Sequence, residues 1–217
     1  GQPWLAMEHV DGMSLNRWLH DQKPGLGKRI ELFLKICDGL AYAHRQMIIH
    51  RDIKPGNIMV LPNGEPKLLD FGIALDLNSG DRLTGLAEQL LTPEYASPEQ
   101  IGGDRLSTQS DVYSLGVVLY EMLTGSRPYE FATRNPVGLL KALSQNRITR
   151  PSSCKTSNER GEPVLGVFGR HLRGDLDTII MKSLEQEPSR RYSGVDAFAA
   201  DLRAWQDKLP IEARPAT

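Results

Sequence analysis

Val112 to Leu123 is apolar on nearly every face of a helix. A helix of that kind is expected to be buried at the centre of a domain, with the rest of the chain built around it. Gly125 stops it and Pro128 lies just beyond, the usual end signals for a helix. A chain of 217 residues is long enough for such a core, since a domain of this size buries about 70% of its unfolded surface.

Periodicity supplies the surrounding elements. Trp4 to Val10 reads as a strand running into the turn Asp11-Gly12, and Ser14 as the cap of a short helix through His20. After the breaker Lys23-Pro24-Gly25, residues Ile30, Phe33, Leu34, Cys37, Leu40, Ala41 and His44 keep one face of a 3.6-residue period. Ile58–Leu61 and Pro66–Leu69 flank Pro62-Asn63-Gly64-Glu65 and predict a hairpin. Residues 73–106 have no sustained period and predict a long functional loop. Short helices are predicted over Val137–Gln145 and Leu176–Leu184, with polar loop between them over Thr149–Gly174. Val195, Phe198, Ala199, Leu202 and Trp205 form a last amphipathic face, and Pro210 and Pro215 mark a linker-like tail.

Bulk properties exclude several function classes. A net charge of -1 offers no electrostatic reason for nucleic acid or an acidic membrane surface. Cys37 and Cys154 have neither C-x-x-C spacing nor the density of a disulfide framework, so a reducing compartment is expected. No apolar run is long enough to span a bilayer, and no signal peptide opens the sequence. Its first residue is Gly1, and Pro3 to Met7 reads as the middle of an element, so the chain is expected to be part of something longer.

The chemistry sits in His50-Arg51-Asp52-Ile53-Lys54-Pro55-Gly56-Asn57 and in Asp70-Phe71-Gly72. Phosphoryl transfer needs a carboxylate beside the attacking hydroxyl and metal-held oxygens around the phosphates, with positioning and charge stabilisation doing most of the rest. Two turns carrying Asp52, Asn57 and Asp70 supply such groups. Singly, each aspartate is equally an ordinary turn or cap residue; the full run together with the second triplet makes the pattern specific.

The two motifs match H-R-D-x-x-x-x-N and D-F-G, and the chain resembles a eukaryotic-like Ser/Thr protein kinase. The Ser97-Pro98-Glu99-Gln100 and Asp111–Gly116 segments and the stretch from Asp175 to Pro215 resemble bacterial members. The implied fold is α+β and predominantly helical: the large C-terminal lobe of a protein-kinase-like fold with a hinge remnant, the N-terminal lobe being absent. Residues 1–12 would be the end of an N-lobe strand and the hinge, 13–209 the C-lobe and 210–217 a linker. The catalytic loop would be 50–57 and the activation segment 70–99.

The resemblance implies roles residue by residue. Asp52 would accept the substrate hydroxyl's proton, Lys54 would face the transferred phosphate, and Asn57 and Asp70 would hold Mg²⁺. Thr92 would sit by Asp52 and Lys54, which points to Ser/Thr specificity. Met7, Glu8 and Val10 line up with the hinge that binds adenine, Met7 at the gatekeeper position, and Met59 would lie beneath the ring. His50 would be structural and pack on Phe71, while Arg51 would receive a phosphorylated loop residue, Thr84 first and Ser79 second. Glu99 would pair with Arg191, and Asp111 would brace the catalytic loop's backbone. Ser97 replaces the alanine of A-P-E, and Leu91 stands where many members have glycine.

The implied reaction moves the ATP γ-phosphate to protein Ser or Thr with Mg²⁺. Its implied partners are ATP, a protein substrate and a second copy of the kinase lobes, in a cytoplasmic setting that leaves room for a membrane anchor of the parent protein outside this segment. The Gly-rich loop and the strand lysine of the family are not among these residues, so the chain alone is expected to be inactive and to self-associate through bare apolar surface near Met7, Met59 and Phe71. A pseudokinase or interaction module is the alternative; intact Asp52, Asn57 and Asp70 weigh against it. A small-molecule phosphotransferase would not be expected to carry Thr92–Glu99 and Arg191.

Overall fold

A computed structural model describes residues 9–71, 92–129, 148–154 and 168–213, together with 138, 140, 141 and 143. Helix α4 (Thr108–Thr124) is the predicted central helix, and every residue from Ser110 to Tyr120 is buried. It begins four residues before the apolar run, because Ser107 caps it. The Ser107 hydroxyl accepts from the Gln109 N–H at 3.2 Å, and Ser110 Oγ accepts the Ser107 N–H at 3.2 Å. It ends at Gly125, whose φ of 72° and N–H bond to the Glu121 carbonyl (2.9 Å) close the last turn.

Around α4 lie α1 (Leu15–Gln22), α2 (Leu26–Arg45), α3 (Pro98–Gly102), α5 (Asp175–Ser183) and α6 (Val195–Gln206). α5 crosses α4 closely at Gly116, where an added Cβ would stand 2.3 Å from Ser183 Oγ. α2 packs on α6 through Phe33 and Phe198, whose rings meet edge-on at 5.6 Å. Antiparallel strands β1 (Met13–Ser14), β2 (Ile58–Val60) and β3 (Pro66–Leu68) form one sheet in that order, with Met13 opposite Val60 and Ile58 opposite Leu68. Gly64, at φ 83°, turns the β2–β3 hairpin.

The architecture is the helical lobe with a small hairpin that the resemblance implies, and it departs from the sequence reading in several details. The sheet has a third strand, β1, too short to show any alternation. α1 runs to Gln22 and α2 starts at Leu26. The stretch predicted as loop over 73–106 contains α3. The loop predicted over 149–174 contains the 3-10 turns Pro151–Ser153 and Gly169–Leu172. In the tail, Ile211 is buried, and the buried Asp201 accepts from the N–H groups of Glu212 (2.7 Å) and Ala213 (2.9 Å). Packing thus continues past residue 209. His9 and Val10 are in no strand, and the remainder of the predicted first strand lies outside the described residues.

Candidate active site

The loop from His50 to Asn57 hangs between the end of α2 and the start of β2, and its shape is imposed from beneath. Arg51 has a φ of 70°, a left-handed conformation that costs an L-residue about 1–3 kcal/mol. Asp111, on the first turn of α4 and almost fully buried, offsets that cost. Its Oδ2 accepts the His50 N–H at 2.8 Å, and its Oδ1 accepts the Arg51 N–H at 2.9 Å. His44 Nε2, from the last turn of α2, meets Asp111 Oδ2 at 2.7 Å. The bracing role expected of Asp111 is present, with His44 as an additional partner.

Above this brace the functional groups converge. Lys54 is extended, as a residue before proline should be, and Pro55 opens a one-turn 3-10 helix that returns Asn57 towards Asp52. Asn57 Nδ2 donates to the Asp52 carbonyl (2.9 Å) and to Asp52 Oδ2 (2.7 Å). Lys54 Nζ lies 2.8 Å from the same Oδ2 and donates to Thr92 Oγ1 at 3.0 Å. Asp52, Lys54, Asn57 and Thr92 therefore form one hydrogen-bonded cluster. The Leu69 N–H donates to the Asn57 carbonyl at 2.8 Å, which brings the exposed Asp70 alongside. Asp70 has a φ of 52°, a conformation aspartate tolerates better than most residues.

His50 is fully buried and packs on Phe71, ring centroids 4.5 Å apart. Burial holds its imidazole below the ordinary histidine range, against the pull of Asp111 and Asp52. A shallow depression beside Asp52 is lined by Ile53, Thr92, Tyr95, Ala96, Gln100 and Ser114. Its floor is fixed by two bonds: Tyr95 OH donates to Glu121 Oε2 (2.6 Å), and Gln100 Nε2 donates to the Arg51 carbonyl (2.6 Å).

α3 closes this side of the site and is itself bolted down. Ser97 caps it, and Glu99 receives Arg191 on both carboxylate oxygens at 2.7 and 2.8 Å. Arg191 has no exposed side-chain surface, and its other N–H groups reach the carbonyls of Glu185, Gln186 and Gln109. Burial pushes the Glu99 carboxyl up, but Arg191 outweighs it and leaves the carboxyl below its usual range.

Among the other expected site residues, Met59 lies on β2 opposite Ser14 and Lys67 and is half-buried; Val10 is half-buried ahead of β1. Met7, Glu8, Gly72, Ser79 and Thr84 lie outside the described residues. His44, Tyr95 and Gln100 were not foreseen. Each contacts a partner far away in sequence, and nothing local marks it.

The donors suit a small hard cation. Asn57 donates its amide N–H groups to Asp52, its Oδ1 has no partner among the described residues, and Asp70 adds an exposed carboxylate. Mg²⁺ needs one or two carboxylates plus phosphate oxygens and water. Among the described residues no cluster of three or more His, Cys, Asp or Glu offers a self-sufficient metal site.

A helical lobe around a buried helix thus carries an Asp–Lys–Asn–Thr cluster beside a second aspartate turn. The chain belongs to the protein kinase family: the family described as protein kinase domain matches residues 2–202. It is 38% identical over 215 residues to the serine/threonine-protein kinase PknB of Mycobacterium tuberculosis, covering 97% of this chain and 32% of that protein. A Streptomyces coelicolor protein named "Probable serine/threonine-protein kinase SCO3848" is 36% identical over 216 residues, covering 99% of this chain and 30% of the relative. The serine/threonine-protein kinase pkn3 of Myxococcus xanthus is 35% identical over 213 residues, or 94% of this chain and 36% of its own length. The chain thus spans about a third of the length of these relatives. Among the described residues no helix is long and apolar enough to cross a membrane.

Proposed function

We propose that these residues carry the catalytic loop of a kinase that transfers the γ-phosphate of ATP to serine or threonine of a protein. The observation that carries this reading is the shared Asp52 Oδ2, 2.7 Å from Asn57 Nδ2 and 2.8 Å from Lys54 Nζ. Such a carboxylate is pinned in orientation, with its other oxygen available to a substrate hydroxyl. Asp52 would orient that hydroxyl and take its proton as the oxygen attacks phosphorus. Lys54 would offset the charge that develops on the transferring phosphoryl group, while Thr92 fixes the ammonium. Asn57 Oδ1 and Asp70 would hold Mg²⁺, which neutralises phosphate charge when bound. Met59 would underlie the adenine and Met7, Glu8 and Val10 would border it. A need for ATP places this activity on the cytoplasmic side.

Neither the glycine loop nor the strand lysine that holds the α- and β-phosphates occurs within the 217 residues. By themselves these residues would bind ATP weakly and transfer nothing, although the cluster around Asp52 is complete.

Radiolabelled ATP tests the reading in the full-length protein. Label should pass to serine or threonine of a generic protein substrate, depend on Mg²⁺, and vanish in Asp70→Ala. Mg²⁺-dependent nucleotide binding without any transfer by the full-length protein would instead make it a pseudokinase.

A further inference from the structure

Arg51 immediately precedes Asp52 and has the least favourable backbone conformation in the loop. Asp111 and His44 secure the peptide group on its N-terminal side, as described above. The Arg51–Asp52 peptide group on the other side is secured separately. Its oxygen accepts from Gln100 Nε2 at 2.6 Å, and its N–H faces His50 Nδ1 at the longer distance of 3.4 Å. Rotation of that plane would swing the Asp52 carboxylate, and Gln100 supplies its shorter hydrogen bond.

We propose that Gln100 is a positioning residue for phosphoryl transfer, locking the Arg51–Asp52 peptide plane to the helix that ends the activation segment; this rests on the kinase reading above. Gln100 is 7% exposed, so water does not readily substitute for its amide. Its own place is fixed on both flanks. The Gln100 N–H donates to Ser97 Oγ at 3.3 Å, the neighbouring Glu99 is gripped by Arg191, and Gly103 (φ 73°) closes the helix with an N–H bond back to the Gln100 carbonyl. The chemistry selects the residue type. A carboxylate at this site would repel the Arg51 carbonyl and stand near Asp52, an aliphatic side chain would leave the carbonyl unpaired, and asparagine is one methylene too short. Because α3 carries the donor, the geometry of Asp52 follows the seating of α3. A displaced α3 leaves Asp52 in place chemically but mis-aimed.

The test uses Gln100→Met in the full-length protein, since methionine keeps the length and removes the donor. An unsatisfied buried carbonyl should lower kcat about 10-fold or more, with KM for ATP within about twofold of wild type. Amide hydrogen exchange should quicken across residues 50–53 and stay unchanged in α2 and α4. A wild-type kcat with unchanged exchange would overturn the proposal, as would faster exchange throughout the domain with kcat and KM both degraded. Should Gln100→Met fail to fold, Gln100→Leu removes the donor without adding charge beside Asp52, and the same two outcomes decide. An inactive wild-type protein would refute the kinase reading instead, and the exchange comparison would still report on Gln100.

Discussion

Changing Glu99 to glutamine should destabilise the kinase domain out of proportion to the loss of one charge. Glutamine is nearly the same size and can still accept from one guanidinium N–H. It leaves the Arg191 cation with no ion-pair partner among the described residues, in a site where its side chain has no exposed surface. Three backbone carbonyls remain as acceptors, at 2.7, 2.8 and 3.0 Å. They satisfy geometry without neutralising charge. Removing one partner of a buried ion pair costs about 3–5 kcal/mol. A domain of this size loses about 2–4 °C of melting temperature per kcal/mol, so a fall of roughly 6–20 °C is expected by scanning calorimetry. Asp196→Asn is the control, because the Arg45–Asp196 pair (3.5 Å) is exposed; it should move melting by no more than about 4 °C. The penalty should also depend on pH with a definite sign. Arg191 leaves the folded Glu99 carboxyl below its unfolded value, so its contribution is complete above about pH 4.5 and disappears as pH falls through the folded value. Wild type and Glu99→Gln should therefore converge in acid. Equal shifts for Glu99→Gln and Asp196→Asn, or a gap that widens in acid, would refute the argument.

His44→Ala should remove a buried partner of Asp111 and lower kcat about 10-fold with little change in KM for ATP, whereas His44→Gln, which retains a donor, should recover part of it; steady-state kinetics decides. Acid should destabilise the domain through His50 as well. Burial lowers its folded pKa, so the unfolded state takes up the proton first, and stability falls as pH drops below about 6.5. Melting curves from pH 7.5 to 5.5 should show a smaller decline in His50→Gln than in wild type.

The sequence exposes those parts of the molecule whose determinants are local. α4 is legible because an apolar run on every face has one stable location, and α2 because Ile30 to Ala41 keep a helical period. The hydrogen-bonded cluster around Asp52 is legible because Asp52, Lys54 and Asn57 lie within one short run, with Thr92 placed by resemblance. α3 has its own markers, Ser97, Pro98 and Gly103, but five residues are too few to show a period. β1 consists of two residues and exists only because Val60 and Met59 pair with it. Buried polar groups are hardest to foresee. Arg29 looks like surface on α2, yet it is buried, donating to the carbonyls of Pro24 and Met122 and facing the Phe168 ring at 5.1 Å. Asp201 looks like the solvent face of α6, yet it binds Tyr192 and the tail. In both cases the partner is supplied by tertiary packing, and composition holds no trace of it. His44 fits an apolar face as well as it fits Asp111, and only the fold separates the two.

The central claim, that Asp52 handles the substrate proton, is tested most directly by single-turnover phosphoryl transfer in full-length Asp52→Asn beside wild type, with nucleotide affinity measured on the same samples. Asparagine preserves the contacts to Asn57 and Lys54 in outline but accepts no proton. The rate should fall about 10²–10⁴-fold, the usual worth of a positioned acid–base group, with affinity for ATP nearly unchanged. Near-normal transfer by Asp52→Asn would contradict the account.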